Sequence, residues 1–178
     1  LCLQGASTAD NTVSGVISTG TPATLVTKRE SGTWTLSGIN TYTGATTVQD
    51  GTLAITGSLG NTPVNVSGGT LSLQNASAIS QNVVTFTNTG TLAQSVDNAI
   101  SGTASIVAQK PLTLSVANNY SGDTTINAGT SMPITITHAN AAGTGRLTAA
   151  TGATTPVFNL LLDGGGTIAM PNSFGGNS

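Results

Sequence analysis

The chain has 178 residues, of which ten are charged, and its formal net charge is −2. Thr, Ser, Asn and Gly together make up 89 residues, and 33 of these are Thr. Four Lys and Arg residues are too few for a nucleic-acid-binding surface. No run approaches the ~18 apolar residues of a membrane span. Intracellular globular domains typically carry about four times this charge density.

Two features stand out at the amino terminus. Leu1 is not a methionine, so we expect a processed chain or a fragment of a longer one. Cys2 is the single cysteine, which excludes an internal disulfide and a metal site built from several cysteines. We expect an inert terminal thiol, with an intermolecular disulfide as the alternative. We also expect the terminal segments 1–5 and 171–178 to cap the fold or to mediate assembly.

A Gly-Thr pair followed by an apolar residue recurs along the chain. It begins at Gly32, Gly51, Gly69 and Gly90, at nearly even intervals, and it returns at Gly166. Apolar and polar residues alternate after each pair, which predicts short strands with one buried face. The residues that we expect in the core are Trp34, Leu36, Val48, Leu53, Ile55, Leu71, Leu73 and Leu92.

A longer repeat lies over this pattern. Segments 34–52 and 112–130 are identical at 10 of 19 positions without a gap, and similar six-residue segments, 10–15 and 97–102, precede them. Regular short strands at a period of about twenty residues predict an all-β parallel β-helix (β-solenoid). We expect a single domain over 1–178 with about nine coils and repeat units near 10–53 and 97–130. A β-sandwich is the competing architecture.

Residues 36–53 resemble the autotransporter-associated β-strand repeat, also called the passenger-associated transport repeat. The wording L-S-G-x-N-T-Y-[ST]-G-x-T-x-V-x-x-G-T-L matches almost every position of this segment. The second copy departs at Val116, Asn119 and Ser131. The residues that match the motif are Leu36, Ser37, Gly38, Asn40, Tyr42, Gly44, Gly51, Thr52 and Leu53 in the first copy, and Leu114, Ser115, Asn118, Tyr120, Gly122, Gly129 and Thr130 in the second.

The resemblance implies a right-handed parallel β-helix from the passenger of a secreted, surface-exposed bacterial autotransporter or adhesin. It implies a structural role in secretion and folding, a translocator barrel elsewhere in the parent chain, and host or biofilm molecules as partners. The neighbouring coils, or identical subunits stacked end to end, are the other partners that we expect.

Few residues suggest chemistry. Asp10, Glu30 and Asp50 are spaced so that they could stack at one corner, but Asp at turns is the interpretation we prefer. His138 has no partner motif, so we expect a solvated loop residue. Asp163 precedes the glycines 164–166, which does not fit a calcium-binding nonapeptide, and these glycines lack the Lys-[Ser/Thr] ending of a phosphate loop. The sequence therefore predicts no catalytic, cofactor-binding or metal-binding residues, no cofactor and no enzyme.

The aromatic residues raise the question of sugar stacking. Trp34 alternates in register with Leu36, so we expect it to point inward. Tyr42 and Tyr120 occupy the same repeat position, which favours a structural role at a corner.

Three classes of function remain open. The first is a rigid stalk or adhesive segment on the bacterial surface, which aids secretion by folding coil by coil. The second is the subunit of a self-assembling extracellular filament, because open solenoid ends expose unpaired backbone groups. The third is a polysaccharide-active or ice-binding β-helix, which is the weakest because Thr-x-Thr units do not recur at the coil period.

Overall fold

The structure is a computed structural model that describes residues 1–9, 11–127, 133–138, 140–149 and 157–160. Every regular element in these residues is a strand. The strands are β1 (Cys2–Leu3), β2 (Asn11–Val13), β3 (Val26–Lys28), β4 (Thr33–Leu36), β5 (Thr46–Val48), β6 (Thr52–Ile55), β7 (Val64–Val66), β8 (Thr70–Leu73), β9 (Val83–Phe86), β10 (Thr91–Gln94), β11 (Ser105–Ala108), β12 (Leu112–Leu114), β13 (Thr124–Ile126), β14 (Pro133–Ile136), β15 (Leu147–Ala149) and β16 (Val157–Leu160).

Odd-numbered and even-numbered strands form opposite walls of the molecule. The odd strands make one eight-stranded sheet in the order β1-β3-β5-β7-β9-β11-β13-β15. The even strands make a five-stranded sheet, β10-β8-β6-β4-β2, and a three-stranded sheet, β12-β14-β16. Each strand pairs in parallel with the strand one turn away. The predicted right-handed parallel β-helix is confirmed, and the parallel pairing excludes a β-sandwich.

The described residues contain fewer coils than the about nine predicted for 1–178. Eight strands in the long sheet correspond to seven turns between the first and the last strand that the structure describes. The period of about twenty holds on average but not for every coil, and the rest of the predicted count falls on residues that mostly lie outside the described ones. Cys2 pairs with Thr27, and Thr125 pairs with Thr148, so the coils that begin at Cys2 and Thr125 both exceed this period. The extra residues lie in the loops at the corners.

The inward positions of both walls form one apolar core. Six of the eight predicted core residues are fully buried, which confirms them: Leu36, Val48, Leu53, Ile55, Leu71 and Leu73. The other two, Trp34 and Leu92, pack against the core but are only partly buried. Trp34 pairs with Asn11, and its indole N–H donates to the carbonyl of Gln4 at 3.1 Å. Leu92 lies on β10, which ends the five-stranded sheet.

The sheet of even strands is interrupted where the Gly-Thr pattern fails. The Thr amides of three successive pairs donate to the Gly carbonyl one coil earlier: Thr52 to Gly32 at 3.1 Å, Thr70 to Gly51 at 2.7 Å and Thr91 to Gly69 at 2.8 Å. One coil after Gly90 the corresponding pair is Lys110-Pro111, and proline has no amide hydrogen. Strands β10 and β12 do not pair, and a cavity of about 170 Å³ lies between them.

A side chain occupies part of this interruption. The ammonium group of Lys110 donates a hydrogen bond of 2.8 Å to the carbonyl of Gly90, the group to which residue 111 would donate in an unbroken pattern. Lys110 therefore replaces the missing backbone bond with a side-chain bond.

Candidate functional site

The repeat asparagines connect three successive coils. The Oδ1 atom of Asn40 accepts a hydrogen bond of 2.9 Å from the amide of Ile17 on the preceding coil. Its Nδ2 atom donates to the carbonyls of Gly38 on its own coil and Ser58 on the following coil, both at 2.9 Å. Asn40 is 3% exposed, so these bonds are shielded from water. One amide thus satisfies backbone groups on three levels of the stack.

The second copy repeats this arrangement. Asn118 accepts from the amide of Ile100 at 3.2 Å and donates to the carbonyls of Val116 at 3.1 Å and Ala141 at 2.9 Å. Gln94 also donates to its Oδ1 atom, at 2.8 Å. The two asparagines therefore occupy equivalent environments although they lie in separate repeats, far apart in the sequence.

The repeat tyrosines are buried at the same corners. The hydroxyls of Tyr42 and Thr46 form a hydrogen bond of 2.6 Å, and Tyr120 and Thr124 form the same bond at 2.6 Å. Burial raises the pKa of Tyr42 to about 12, against a smaller opposing effect of the bond to Thr46, and burial also raises the pKa of Tyr120. Both phenols are therefore neutral packing groups at physiological pH.

In the first copy, threonine hydroxyls extend this contact to the next coil. The Oγ1 atom of Thr46 lies 3.5 Å from that of Thr62, whose hydroxyl donates to the carbonyl of Gly44. At Gly44 and at the matching Gly122, a Cβ atom would collide with a main-chain carbonyl oxygen of the preceding coil. Only glycine lets the backbones approach this closely.

A buried lysine, which the motif does not include, closes the corner after β3. Lys28 lies on an inward position of β3, in the ladder column that continues with Val48, and is fully buried. Its Nζ atom donates to the main-chain carbonyls of Arg29 at 2.7 Å, Glu30 at 2.5 Å and Asp50 at 3.1 Å. Burial lowers the pKa of Lys28, and the nearby carboxylates of Asp50 and Glu30 oppose this effect.

Gly51, a motif residue, packs directly against the ammonium group of Lys28. Its φ is +63°, in the left-handed region that favours glycine. A Cβ atom there would lie 2.6 Å from the Nζ atom of Lys28 and would collide with the carbonyl oxygens of Glu30 and Gly32. The left-handed corner and the buried ammonium group therefore depend on each other.

The remaining motif residues of the first copy lie around this corner. Leu36 and Leu53 are buried, Ser37 is exposed, and the amide of Thr52 donates to the carbonyl of Gly32 at 3.1 Å. In the second copy Leu114 is buried and Ser115 is exposed. Gly129 and Thr130 lie outside the described residues, as do Ser131, Asp163, the glycines 164–166, Gly166 of the Gly-Thr pattern and the segment 171–178.

The carboxylates of the described acidic residues accept hydrogen bonds from backbone amides. Asp50 accepts a bond of 2.7 Å from the amide of Gly51, and Glu30 accepts one of 2.8 Å from the amide of Gly5. Asp97 and Asp123 each accept from an amide one coil later, those of Ala117 at 3.1 Å and Arg146 at 3.0 Å. Asp10, the third member of the predicted acidic stack, lies outside the described residues.

Few other side chains among the described residues are of a type that takes part in catalysis or metal binding. Cys2 and His138 are exposed. Among the positions that the structure describes, no three His, Cys, Asp or Glu residues are grouped so that they could hold a metal ion. The same part of the chain has no helix that is long and apolar enough to span a bilayer.

The sequence signal found the asparagines and tyrosines but missed two residues. Lys28 follows Val26 and Thr27 in an alternating pattern that predicts an inward side chain, yet a charged residue is rarely expected in a core. Lys110-Pro111 falls where the next Gly-Thr pair is due, one coil after Gly90, and this departure marks the interruption of the sheet.

These corners define a parallel β-solenoid whose coils are joined by a repeated set of side chains. The sequence model of the passenger-associated-transport-repeat family matches residues 26–55 and 112–130, which confirms the resemblance to that repeat. Each match includes one Asn and Tyr pair described above.

One curated relative is similar over part of its length. The chain is 43% identical over 75 residues to the adhesin BmaC autotransporter of Brucella suis biovar 1 (strain 1330). The similar region covers 39% of this chain and spans about 2% of that relative. No solved structure matches the chain.

Proposed function

We propose that the chain is part of the passenger of a bacterial cell-surface adhesin of the autotransporter type, in which it forms a rigid stalk without a catalytic role. The observation that carries this proposal is the side-chain connection between coils: Asn40 and Asn118 each bond to the coil before and the coil after. The repeat matches and the similarity to a protein named as an autotransporter adhesin support it.

The architecture suits a stalk. The sheet of odd-numbered strands continues through its eight strands without a break. Its seven turns, at about 4.8 Å per coil, give a length of roughly 34 Å. Coils that bond to both neighbours resist bending and stretching. The surface carries few charges, which fits a spacer that displays other parts of the parent chain to host or biofilm molecules.

The same contacts suit secretion by progressive folding. In a solenoid each coil contacts mainly its neighbours, so a folded coil is a template for the next one. Folding on the outer side of a membrane would then draw the chain outward. This role places the chain at the outer surface and requires a translocator elsewhere in the parent protein.

An export assay tests the proposal. The chain, fused to an autotransporter translocator in a Gram-negative host, is compared with Leu53→Asp and Val83→Asp. Leu53 is buried and Val83 is 49% exposed, so the same charge disrupts the fold only at Leu53. We expect protease-accessible surface display of the parent and Val83→Asp and a clear reduction for Leu53→Asp. Equal display of all three would contradict a role of folding in secretion.

The filament subunit remains a second prediction from the sequence. It differs from the stalk in one measurement, the mass of the isolated chain in solution. Light scattering that shows growth to long assemblies with concentration would favour the filament, and a constant monomer mass would favour the stalk.

A further inference from the structure

An open cleft of about 360 Å³ lies beside the second repeat corner. Its walls come from three successive coils. Asn98 belongs to the first, Ala117, Asn118 and Asn119 to the second, and Asn140, Gly143 and Thr144 to the third. The volume falls at the lower end of the roughly 300–1,000 Å³ of small-ligand pockets. None of these seven residues is charged.

Three of the four asparagine amides in the cleft are free to bind a ligand. Asn118 is the exception, because its amide is fully used in joining the coils. The side chains of Asn98, Asn119 and Asn140 form no hydrogen bond to the described part of the protein. Asn119 and Asn140 are exposed, and Asn98 is partly exposed.

The backbone of the cleft is held by hydrogen bonds within and between the coils. The amide N of Asn98 donates to the carbonyl of Ala117 at 2.7 Å, and the carbonyl of Asn140 accepts from the amides of Asn118 at 3.0 Å and Gly143 at 3.1 Å. The main chain around the cleft is therefore set before any ligand binds, which lowers the entropic cost of binding.

We infer that this cleft binds a neutral saccharide unit. Each primary amide offers two N–H donors and a carbonyl acceptor, and a sugar diol offers both donors and acceptors at neighbouring positions. The seven lining residues are neutral and the carboxylate of Asp97 bonds to the amide of Ala117 at 3.1 Å, which disfavours an anionic ligand. The hydroxyl of Thr144 donates to the carbonyl of Tyr120 at 3.3 Å, so its oxygen remains able to accept a bond from a sugar hydroxyl.

The first repeat provides a built-in comparison. The positions equivalent to Ala117 and Asn119 are Ile39 and Thr41, and Ile39 is 72% exposed. In the second copy a smaller residue and an additional amide replace them. Asn119 is one of the departures from the repeat motif, and the hydrogen bonds that join the coils do not require its side chain. Ligand binding would account for asparagine at position 119 in place of the threonine of the motif.

The test is an NMR titration of the ¹⁵N-labelled chain with four probes: methyl α-mannoside, methyl β-galactoside, methyl β-glucoside and the anionic methyl β-glucuronide. We expect at least one neutral glycoside to shift the side-chain amide signals of Asn119 and Asn140, with a millimolar dissociation constant. The glucuronide should bind more weakly than its neutral counterpart, the glucoside.

Two variants convert the cleft to the residues of the first copy. Asn119→Thr removes one amide and should weaken binding about tenfold, the effect of losing roughly one good hydrogen bond, and Ala117→Ile should weaken binding by narrowing the cleft. Thr41→Asn, the reverse change in the first copy, should leave binding unchanged. Backbone signals that are unchanged away from the substituted coil and its neighbours show that each variant is folded.

Two results would overturn the inference. One is the absence of shifts at the cleft with all three neutral glycosides. The other is binding that is equally strong in the parent, Ala117→Ile and Asn119→Thr, because such binding would lie elsewhere on the surface.

Discussion

The Nδ2 atom of Asn40 donates a hydrogen bond of 2.9 Å to the carbonyl of Ser58, which lies one coil further along the solenoid. The backbone amide of Asn40 donates to the same oxygen at 3.0 Å. At this corner the pairing of the coils is reduced to an isolated parallel bridge between Ile39 and Ser58, and the side chain of Asn40 adds further bonds to it. The motif therefore stabilises the part of each coil that the sheets cannot.

Replacing Asn40 with alanine should lower the free energy of unfolding by about 3 kcal/mol. The change leaves the amide of Ile17 without its partner, which costs roughly 1–3 kcal/mol, and it also removes the bonds to the carbonyls of Gly38 and Ser58, which keep backbone partners. Urea unfolding measures the effect as a shift of the midpoint. The control is Asn61→Ala at an exposed position, which should change stability by less than about 0.5 kcal/mol. Equal midpoints for the two variants would show that the bonds of Asn40 contribute little.

Replacing Gly51 with alanine should destabilise the fold by more than about 2 kcal/mol. The left-handed φ of +63° disfavours a side chain, and the added methyl group would displace the ammonium of Lys28 from its three carbonyls. Gly15→Ala is the matched control, because its φ is not in the left-handed region and a Cβ there meets no atom within 4 Å. The melting temperatures of both variants test this prediction. A decrease in melting temperature for Gly51→Ala no larger than that for Gly15→Ala would contradict the role of this corner.

The sequence predicted the fold and the residues of the motif, but not how they join the coils. Alternation after each Gly-Thr pair is a local signal, so the buried faces of β6 and β8 followed from it directly. The partners of Asn40 depend on which corners stack, and the loops make the coils unequal in length, as the short step from Thr46 to Val64 and the long step from Cys2 to Thr27 show. The partners of Lys28 likewise lie on two coils, and no local pattern places its ammonium group against the carbonyl of Asp50.

The stability of the fold should fall at alkaline pH because of Tyr42. Burial raises the pKa of its phenol to about 12 in the folded state, compared with about 10 in an unfolded chain. The folded state therefore keeps a proton that the unfolded state loses, so the stabilisation is complete below about pH 10 and is lost as pH rises to about 12. A difference of about two pKa units corresponds to roughly 3 kcal/mol.

Tyr42→Phe separates this effect from other alkaline titrations. The lowered pKa of Lys28 acts in the opposite direction, since deprotonation in the folded state makes stability rise with pH. Between about pH 9 and about pH 12, the urea midpoint of the parent should fall more steeply than that of Tyr42→Phe. Parallel curves would mean that Tyr42 ionises as readily in the folded state as in the unfolded chain.

Pro111 and Lys110 should be energetically coupled across the interruption between β10 and β12. In the parent, the lysine ammonium bonds to the carbonyl of Gly90 where proline cannot. Lys110→Ala should therefore cost about 1.5 kcal/mol, the lower range for a hydrogen bond to a charged group. Pro111→Thr restores an amide hydrogen at the position where Thr91 donates one coil earlier, so that the backbone can bind Gly90 directly. In that background Lys110→Ala should cost less than half as much. The four midpoints form a double-mutant cycle with an expected coupling of about 1 kcal/mol, and additive effects within about 0.3 kcal/mol would show that the two residues act independently.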